Sequence, residues 1–266
     1  MIRWDCNAFV GRWPFHKVRG PEFIHLEAKH QRYGISGGFV SSLEAIFYND
    51  PYEADVDLAE ALAGRRDYRQ VITANPKLPG CCRQVLRALR EIDAAGVRIA
   101  PGFHDYAMHA PELDALCGIL AERRLPLFLT LHMEDARMEY MFQSQEIYAW
   151  DLAGFLQRHK DFPILLCNIR SRELRWIRRV LENQENISAD VSGLKDGVFN
   201  MEGLYADGFT KYLVYGSVSP LFCMKSSLLL ADAAEMPQAE KQRIFSGAAL
   251  LDQLDEQNRP HADPPL

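Results

Sequence analysis

The sequence predicts an α/β protein with a single domain, a parallel (β/α)₈ barrel of the TIM-barrel type. Eight short apolar segments alternate along the chain with amphipathic segments of helical spacing. The later apolar segments are almost continuously hydrophobic, as parallel strands covered on both faces are. A length of 266 residues and an apolar content of 48% are sufficient for one large core.

The predicted strands are separated by enough residues for a helix between each pair. They are residues 2–7, 38–42, 71–75, 97–101, 126–132, 164–169, 187–192 and 212–218. Leu113, Leu116 and Leu120 recur at helical spacing between the fourth and fifth strands. Gly96 is predicted to cap the helix before the fourth strand, and Pro237 to lie in the first turn of the last helix.

An open, doubly wound sheet is the alternative arrangement of the same elements. Such a sheet usually has a glycine-rich phosphate loop after its first strand, and the residues at 7–11 do not match GxGxxG. This difference favours a closed barrel over residues 1–254. Residues 255–266 are predicted to form a polar C-terminal tail.

Composition excludes several classes of partner. The formal net charge of −6 comes from interspersed residues, and no basic stripe indicates nucleic acid. No apolar run reaches the ~18 residues that a membrane span needs. The six cysteines lack zinc-site or CxxC spacing, and several lie in apolar runs, as reduced thiols do. Because the N-terminus also lacks a leader pattern, we expect a soluble cytoplasmic protein.

Four segments resemble motifs of the amidohydrolase-related family, which contains metal-dependent hydrolases and decarboxylases. Residues 97–101 with Tyr106 are similar to its fourth-strand motif, and residues 125–132 to its fifth-strand motif. Residues 215–220 are similar to its eighth-strand motif, and residues 242–249 to its closing helix. The resemblance extends over nearly the whole chain in the same order, and it implies a site at the C-terminal ends of the strands.

The same resemblance implies that most of the family's metal ligands have been lost. Asn7 and Phe9 stand where the family has the two histidines of Asp-x-His-x-His, and Asn168 replaces the sixth-strand histidine. Val218 replaces the eighth-strand aspartate, so His132 alone remains. A catalytic zinc usually has three nitrogen, thiolate or carboxylate ligands from the protein. We therefore expect no metal and no other cofactor.

Strand alternation predicts which polar side chains meet at the barrel mouth. Residues 128, 130 and 132 share one face of the fifth strand, and this face lines the barrel if His132 points inward as the family resemblance implies. Asp5 and Asn7 are placed together on one face of the first strand, and Asn168 lies on the same face of the sixth strand as residue 166. Asn7, His132 and Asn168 should then converge on one polar pocket, where Asn7 and Asn168 are candidates to bind substrate as hydrogen-bond anchors.

Two residues are catalytic candidates. His132 could transfer protons because imidazole titrates near neutral pH, and Glu134 or Asp135 could orient it or act in its place. The alternative is that His132 only satisfies hydrogen bonds where a metal once lay. Asp190 lies in an otherwise apolar strand beside Ser192, so it has either an acid–base role or a structural hydrogen-bonding role.

Three further residues are candidates for substrate binding. Arg170 could clamp a carboxylate or phosphate, or could face solvent at a helix start. His104 could close over a ligand, although ordinary loop polarity explains it equally well. Trp13, in the aromatic segment 11–16, could wall a pocket or lie in a subunit interface that would allow a homodimer.

The family resemblance and the one remaining histidine imply a metal-independent hydrolase or lyase that acts on a small carboxylated substrate. A second hypothesis is a non-catalytic pseudoenzyme that binds a small molecule in the barrel mouth. A third places a metal on His16, His104 and His132. The basic helical segment around 175–179 is interpreted as a solvated surface.

Overall fold

The computed structural model describes residues 2–134, 144–197 and 199–257. Eight parallel strands form one sheet in which each strand pairs with the next along the chain. The strands are β1 (Trp4–Val10), β2 (Gly37–Ser42), β3 (Tyr68–Thr73), β4 (Ala94–Ile99), β5 (Leu127–Thr130), β6 (Ile164–Cys167), β7 (Ile187–Asp190) and β8 (Leu213–Val214).

Helices connect the strands and cover the outside of the sheet. They are α1 (Phe23–Tyr33), α2 (Pro51–Leu62), α3 (Cys81–Glu91), α4 (Pro101–His104), α5 (Pro111–Arg123), α6 (Ala149–Arg158), α7 (Ser171–Trp176), α8 (Arg178–Glu182), α9 (Asn200–Ala206), α10 (Met224–Asp232), α11 (Gln238–Ser246) and α12 (Ala248–Gln257). Among the described residues, no helix is long and apolar enough to cross a membrane. Residues 258–266, which make up most of the predicted tail, lie outside the described residues.

Backbone hydrogen bonds between the last and first strands close the barrel. The regular part of β8 is short, and the chain that follows it continues to bond to β1. The three bonds are Cys6 N to Tyr215 O (2.8 Å), Val218 N to Asn7 O (2.7 Å) and Phe9 N to Ser219 O (2.8 Å). The predicted (β/α)₈ barrel is therefore confirmed.

Alternating residues of the strands build two separate hydrophobic layers. On β5, Leu127 and Leu129 pack outward in the layer that the helices cover. Phe128 points inward and belongs to a smaller cluster that fills the barrel, together with Phe39 and Leu165. This confirms the predicted alternation on the fifth strand. Full burial of one such side chain stabilises the fold by about 1.5–3 kcal/mol.

The first strand departs from simple alternation. The register of β1 against β2 shifts between Asp5 and Ala8. Asp5 contacts the fully buried His30 of α1 at 3.1 Å, whereas Cys6 lies in the inner cluster. Asn7 bonds across the barrel, so the expectation that Asp5 and Asn7 share a face is wrong. A bulge, which places two successive residues on one side of a strand, explains this difference.

Gly96 lies within β4, where it pairs with Val71, so the prediction of a helix cap there is wrong. A Cβ atom at Gly96 would lie 2.8 Å from Cε2 of Phe128 and 2.9 Å from the carbonyl oxygen of Pro126. A glycine is needed here because the inward phenyl ring of β5 packs directly on the backbone of β4. Pro237 immediately precedes α11.

Candidate functional site

Asp190 lies at the centre of a buried polar network at the C-terminal ends of the strands. Its Oδ2 accepts hydrogen bonds from Asn7 Nδ2 at 2.6 Å and from the backbone N–H of Asn168 at 3.0 Å. Its Oδ1 accepts from the backbone N–H of Ser192 at 2.7 Å and from the Ser192 hydroxyl. Four donors thus surround one fully buried carboxyl group and join β1, β6 and β7.

Burial and hydrogen bonding act on the Asp190 carboxyl group in opposite directions. Desolvation raises its pKa above the ordinary value, and the hydrogen bonds from Ser192, Asn7 and Asn168 lower it in part. Asp190 has no exposed surface, so a substrate does not reach it directly in this conformation. Its geometry is that of a group that positions its neighbours.

The backbone at Asn168 turns its side chain into the same network. Asn168 has a φ of 58°, a left-handed conformation that asparagine tolerates better than most residues. Its Nδ2 donates to the carbonyl oxygen of His132 at 2.7 Å, and its Oδ1 accepts from the Ser192 hydroxyl at 3.3 Å. Leu166 packs outward, so the expectation that it shares a face with Asn168 is wrong, because the chain turns after β6.

His132 forms a hydrogen-bonded pair with Glu173, a residue that the sequence analysis did not single out. His132 Nε2 lies 2.8 Å from Glu173 Oε1, and the two side chains are 16% and 18% exposed. The second carboxylate oxygen, Oε2, accepts from the backbone N–H of Arg170 at 2.9 Å. A glutamate three residues after a helix N-cap commonly folds back in this way, so that spacing could have indicated its position.

The surroundings of Glu173 favour its charged form. Burial tends to raise the pKa of this carboxyl group, but the hydrogen bond and charge of His132 and the contacts with Arg170 lower it below the ordinary value. A carboxylate that accepts from an imidazole N–H fixes the ring's orientation and its tautomer. The pair therefore has the arrangement of a histidine base held by an acidic partner.

Trp13 and Glu134 fasten the segment after β1 to the segment after β5. Trp13 Nε1 donates to Glu134 Oε1 at 2.6 Å, and His16 Nε2 lies 3.4 Å from the same oxygen. The indole of Trp13 packs edge-to-face against Phe47 and Phe103. Trp13 and Phe103 belong to one apolar cluster with Met133, the residue that follows His132.

Two predicted binding residues differ in their surroundings. His104 is buried in α4, with its Nε2 2.8 Å from the carbonyl oxygen of Ile46, and burial lowers its pKa. Arg170 is half-buried at the N-cap of α7, where its backbone N–H bonds to Glu173. Asp135, the other residue proposed to orient His132, lies outside the described residues.

Arg98 is an additional cation inside the barrel. Its Nε donates to the Ser41 hydroxyl and its Nη1 to the Thr130 hydroxyl, both at 2.8 Å. The guanidinium group lies over the ring of Phe9, 4.3 Å from the centroid. Burial lowers its pKa, yet arginine remains protonated in proteins.

The residues at the former ligand positions do not fit the metal that the resemblance implies. Phe9 and Val218 pack in one apolar cluster with Trp13. The Asn168 side chain is already bonded to His132 and Ser192 through its nitrogen and oxygen. Among the residues that the structure describes, no group of three or more His, Cys, Asp or Glu could hold a metal ion.

Comparison with solved structures identifies proteins of the same fold. The 2,6-dihydroxybenzoate decarboxylase from Rhizobium aligns with a TM-score of 0.69 and 11% identity, over 96% of this chain and 99% of its own. A candidate amidohydrolase from Staphylococcus aureus gives 0.69 and 13%, covering 95% of this chain and 100% of its own. This chain has the fold of the amidohydrolase barrels.

A third structure of this fold is a probable 2-pyrone-4,6-dicarboxylic acid hydrolase from Acinetobacter baumannii with citric acid bound. It has a TM-score of 0.60 and 12% identity over 97% of this chain and 95% of its own. No protein-family profile matches the sequence, and no curated protein does. The resemblance seen in the sequence is thus confirmed at the level of the barrel. These structural relatives include hydrolases and decarboxylases named for small carboxylated compounds.

Proposed function

We propose that this protein is a metal-independent hydrolase or lyase that acts on a small carboxylated molecule, with His132 as its acid–base residue. The observation that carries the proposal is the His132–Glu173 pair, with its 2.8 Å contact in a partly exposed position. A general base must be reachable by substrate and held in orientation, and this pair meets both requirements. Asp190, by contrast, is fully buried.

The proton transfer uses the imidazole nitrogen that does not face Glu173. In this scheme the Nε2–H group keeps its proton and donates a hydrogen bond to the carboxylate, so Nδ1 carries the lone pair and takes a proton from water or substrate. The resulting imidazolium is stabilised by Glu173 and returns the proton to the leaving group. Glu173 itself contacts His132 and acts as a positioning residue.

Substrate binding is assigned to groups around this pair. Arg170 stands next to Glu173 in space and supplies a cation for the substrate carboxylate. Trp13 is almost fully buried, so its part is to hold the segment after β5 through its hydrogen bond to Glu134. Asn7, Asp190 and Asn168 hold the strand ends in place beneath them. His104 has no part in this scheme because its Nε2 is bonded to Ile46.

The names of the structural relatives support the substrate class. The decarboxylase from Rhizobium and the hydrolase from Acinetobacter baumannii are both named for compounds that carry carboxylate groups. One arginine and one histidine at the barrel mouth suit such a compound, since a carboxylate pairs with guanidinium in a bidentate manner.

The test is turnover of a substrate panel by protein treated with a chelator. The panel contains hydroxybenzoates, lactone carboxylates and amides of small diacids. We expect activity that survives chelation and falls at least 100-fold in His132→Gln. His109→Gln, which replaces an exposed histidine, is the matched control. Activity that requires an added divalent ion, or that persists in His132→Gln, would refute the proposal.

A second candidate function is binding of a small molecule without catalysis. The observation that favours it is the closed aromatic cluster, in which Phe9 and Val218 pack with Trp13 where metal ligands would otherwise lie. Such a protein would show a thermal shift with a panel compound and no turnover of any compound. His132→Gln would then weaken binding modestly and abolish no reaction.

A further inference from the structure

A groove of about 500 Å³ lies outside the barrel, between α7 and the segment that leads into α9. We call it the α7–α9 groove. Its walls include two arginines, one tryptophan and a set of hydrogen-bonded polar side chains, namely Arg172, Arg175, Trp176, Ser171, Asp196 and Asn200. The volume is that of a site for a small organic ligand.

The floor of the α7–α9 groove is rigidly built. The Asp196 carboxylate accepts from the backbone N–H of Ser171 at 3.0 Å and from its hydroxyl at 2.5 Å. Asn200 Nδ2 donates to Asp196 at 3.1 Å and to the carbonyl oxygen of Leu194 at 2.9 Å. Ser171 and Asn200 are both buried. Because the Asp196 carboxylate accepts these hydrogen bonds, it forms no ion pair with either arginine of the groove.

The positive charges of the two arginines are only weakly neutralised by neighbouring side chains. Arg172 has no hydrogen bond or ion pair with any residue that the structure describes. Arg175 has only long contacts, 3.5 Å from Nε to Asp207 Oδ2 and 3.5 Å from Nη1 to Asn200 Oδ1. Because Arg175 and Asp207 are well exposed, water screens that pair. The groove therefore presents two guanidinium groups to a ligand.

An indole ring completes the groove. Trp176 is 58% exposed. It lies four residues after Arg172, which puts both side chains on the same side of α7. An exposed tryptophan is an effective surface for stacking of planar rings, and guanidinium groups bind carboxylates and phosphates.

We propose that the α7–α9 groove is a second binding site, which takes a planar aromatic anion. The ring of the ligand stacks on Trp176, and its carboxylate or phosphate pairs with Arg172 and Arg175. This site is separate from the His132 site. Glu173, on the same helix, faces the barrel mouth, whereas Arg172 and Trp176 face the groove.

Titration calorimetry with 2-naphthoate and 1-naphthyl phosphate tests this proposal. The measurement is made in the His132→Gln background, so that turnover of the probe is removed. A probe bound at the barrel mouth would not respond to substitution of Arg172 or Trp176, which line the α7–α9 groove. We expect one of the probes to bind, and binding to weaken at least 10-fold in Arg172→Gln and in Trp176→Ala. Higher salt should also weaken binding of the anionic probe. Neutral 2-naphthalenemethanol should bind at least 10-fold less tightly than that probe.

Two matched variants control for general effects of charge and exposed rings. Arg179→Gln removes an exposed arginine from the neighbouring α8, and Trp150→Ala removes an indole that is 56% exposed. Both should bind the probe as the parent does. Thermal unfolding checks that Arg172→Gln and Trp176→Ala remain folded. The proposal is overturned if neither probe binds at millimolar concentration, or if these two variants bind like the controls.

Discussion

The side-chain amide of Asn7 lies 2.6 Å from the Asp190 carboxylate and joins the first strand of the barrel to the seventh. The same carboxylate holds the backbone of Asn168, whose side chain in turn bonds to the carbonyl oxygen of His132. The position of His132 therefore depends on a buried carboxylate that it does not touch.

We expect Asp190→Asn to destabilise the protein by about 1–3 kcal/mol, because the new amide N–H₂ group would face groups that are already donors. The Asn7 amide and the Ser192 hydroxyl would each compete for the single remaining acceptor oxygen. Urea unfolding at pH 7 measures the change. Asp57→Asn, at an exposed position of α2, should change stability by less than about 0.5 kcal/mol. Equal effects of both variants would contradict the prediction.

The buried Asp55 is expected to make stability depend on pH. Its Oδ2 accepts from the backbone N–H of Thr73 at 3.0 Å, while Oδ1 has no partner among the described residues. Burial raises the pKa of Asp55 to about 8. Since the pKa is higher in the folded state than the ordinary value of about 3.9, this group's contribution is greatest in acid and is lost as pH rises from about 4 to 8.

Asp55→Asn removes this ionisable group, so the variant should lose less stability than the parent between pH 5 and pH 8.5. We expect a relative gain of at least about 2 kcal/mol for the variant, since each unit of pKa shift corresponds to about 1.4 kcal/mol. Urea unfolding at the two pH values gives the difference. Asp57→Asn on the same helix is the control. Parallel pH dependence in Asp55→Asn and the parent would show that Asp55 does not titrate in this range.

Glu173→Gln should weaken the orientation of His132. Its effect is expected mainly in kcat, with a 10- to 100-fold loss and little change in KM, because Glu173 contacts the histidine and not the substrate. A Glu182→Gln variant, which removes an exposed ion pair with Arg178, should leave turnover unchanged. A rise in KM without loss of kcat would show that Glu173 binds substrate instead.

The same pair predicts a pH effect on stability. The pKa of Glu173 is lower in the folded state than its ordinary value of about 4.3, so its contribution is present above that pH. It is lost as pH falls through the lowered pKa. The difference in unfolding free energy between the parent and Glu173→Gln, about 1 kcal/mol at pH 7, should therefore disappear in strong acid. A difference that grows on acidification would contradict this assignment.

Gly96→Ala should destabilise the barrel by about 1–3 kcal/mol, because an added Cβ would press on Phe128 and Pro126 inside a filled layer. Gly118→Ala is the matched substitution. It lies inside α5 and has no atom within 4 Å of an added Cβ. That change should stabilise the protein by about 0.5–1 kcal/mol, since alanine is the better helix former. Thermal unfolding distinguishes the two, and a stable Gly96→Ala would contradict the packing described here.

The architecture could be predicted from the sequence because it depends on hydrophobic pattern. Continuous apolar runs indicated buried parallel strands, and the alternation at 126–132 placed Phe128 inward and Leu129 outward, as the structure has them. The two-residue period of a strand separates the two sets of side chains. The family resemblance, in which His132 points inward, decided which set faces the barrel interior.

Much of the site could not be predicted in this way because it depends on local departures from that period. The bulge between Asp5 and Ala8 reverses the direction of Asn7, and the left-handed φ of Asn168 turns its side chain after β6. The hydrophobic pattern of one sequence does not show the register in which neighbouring strands pair, so neither departure could be anticipated. Glu173 was missed because the contact with His132 spans 41 residues and requires the start of α7 to be placed in space.

The closure of the barrel joins two segments that are far apart in the sequence. Cys6 bonds to the carbonyl oxygen of Tyr215, and the N–H of Tyr215 bonds to Ile244 at the end of α11. The first strand thus has its second neighbour only after more than two hundred further residues have been made. During synthesis β1 therefore keeps one edge unpaired until the residues around Tyr215 are available, and an unpaired edge exposes backbone groups that can pair with other chains.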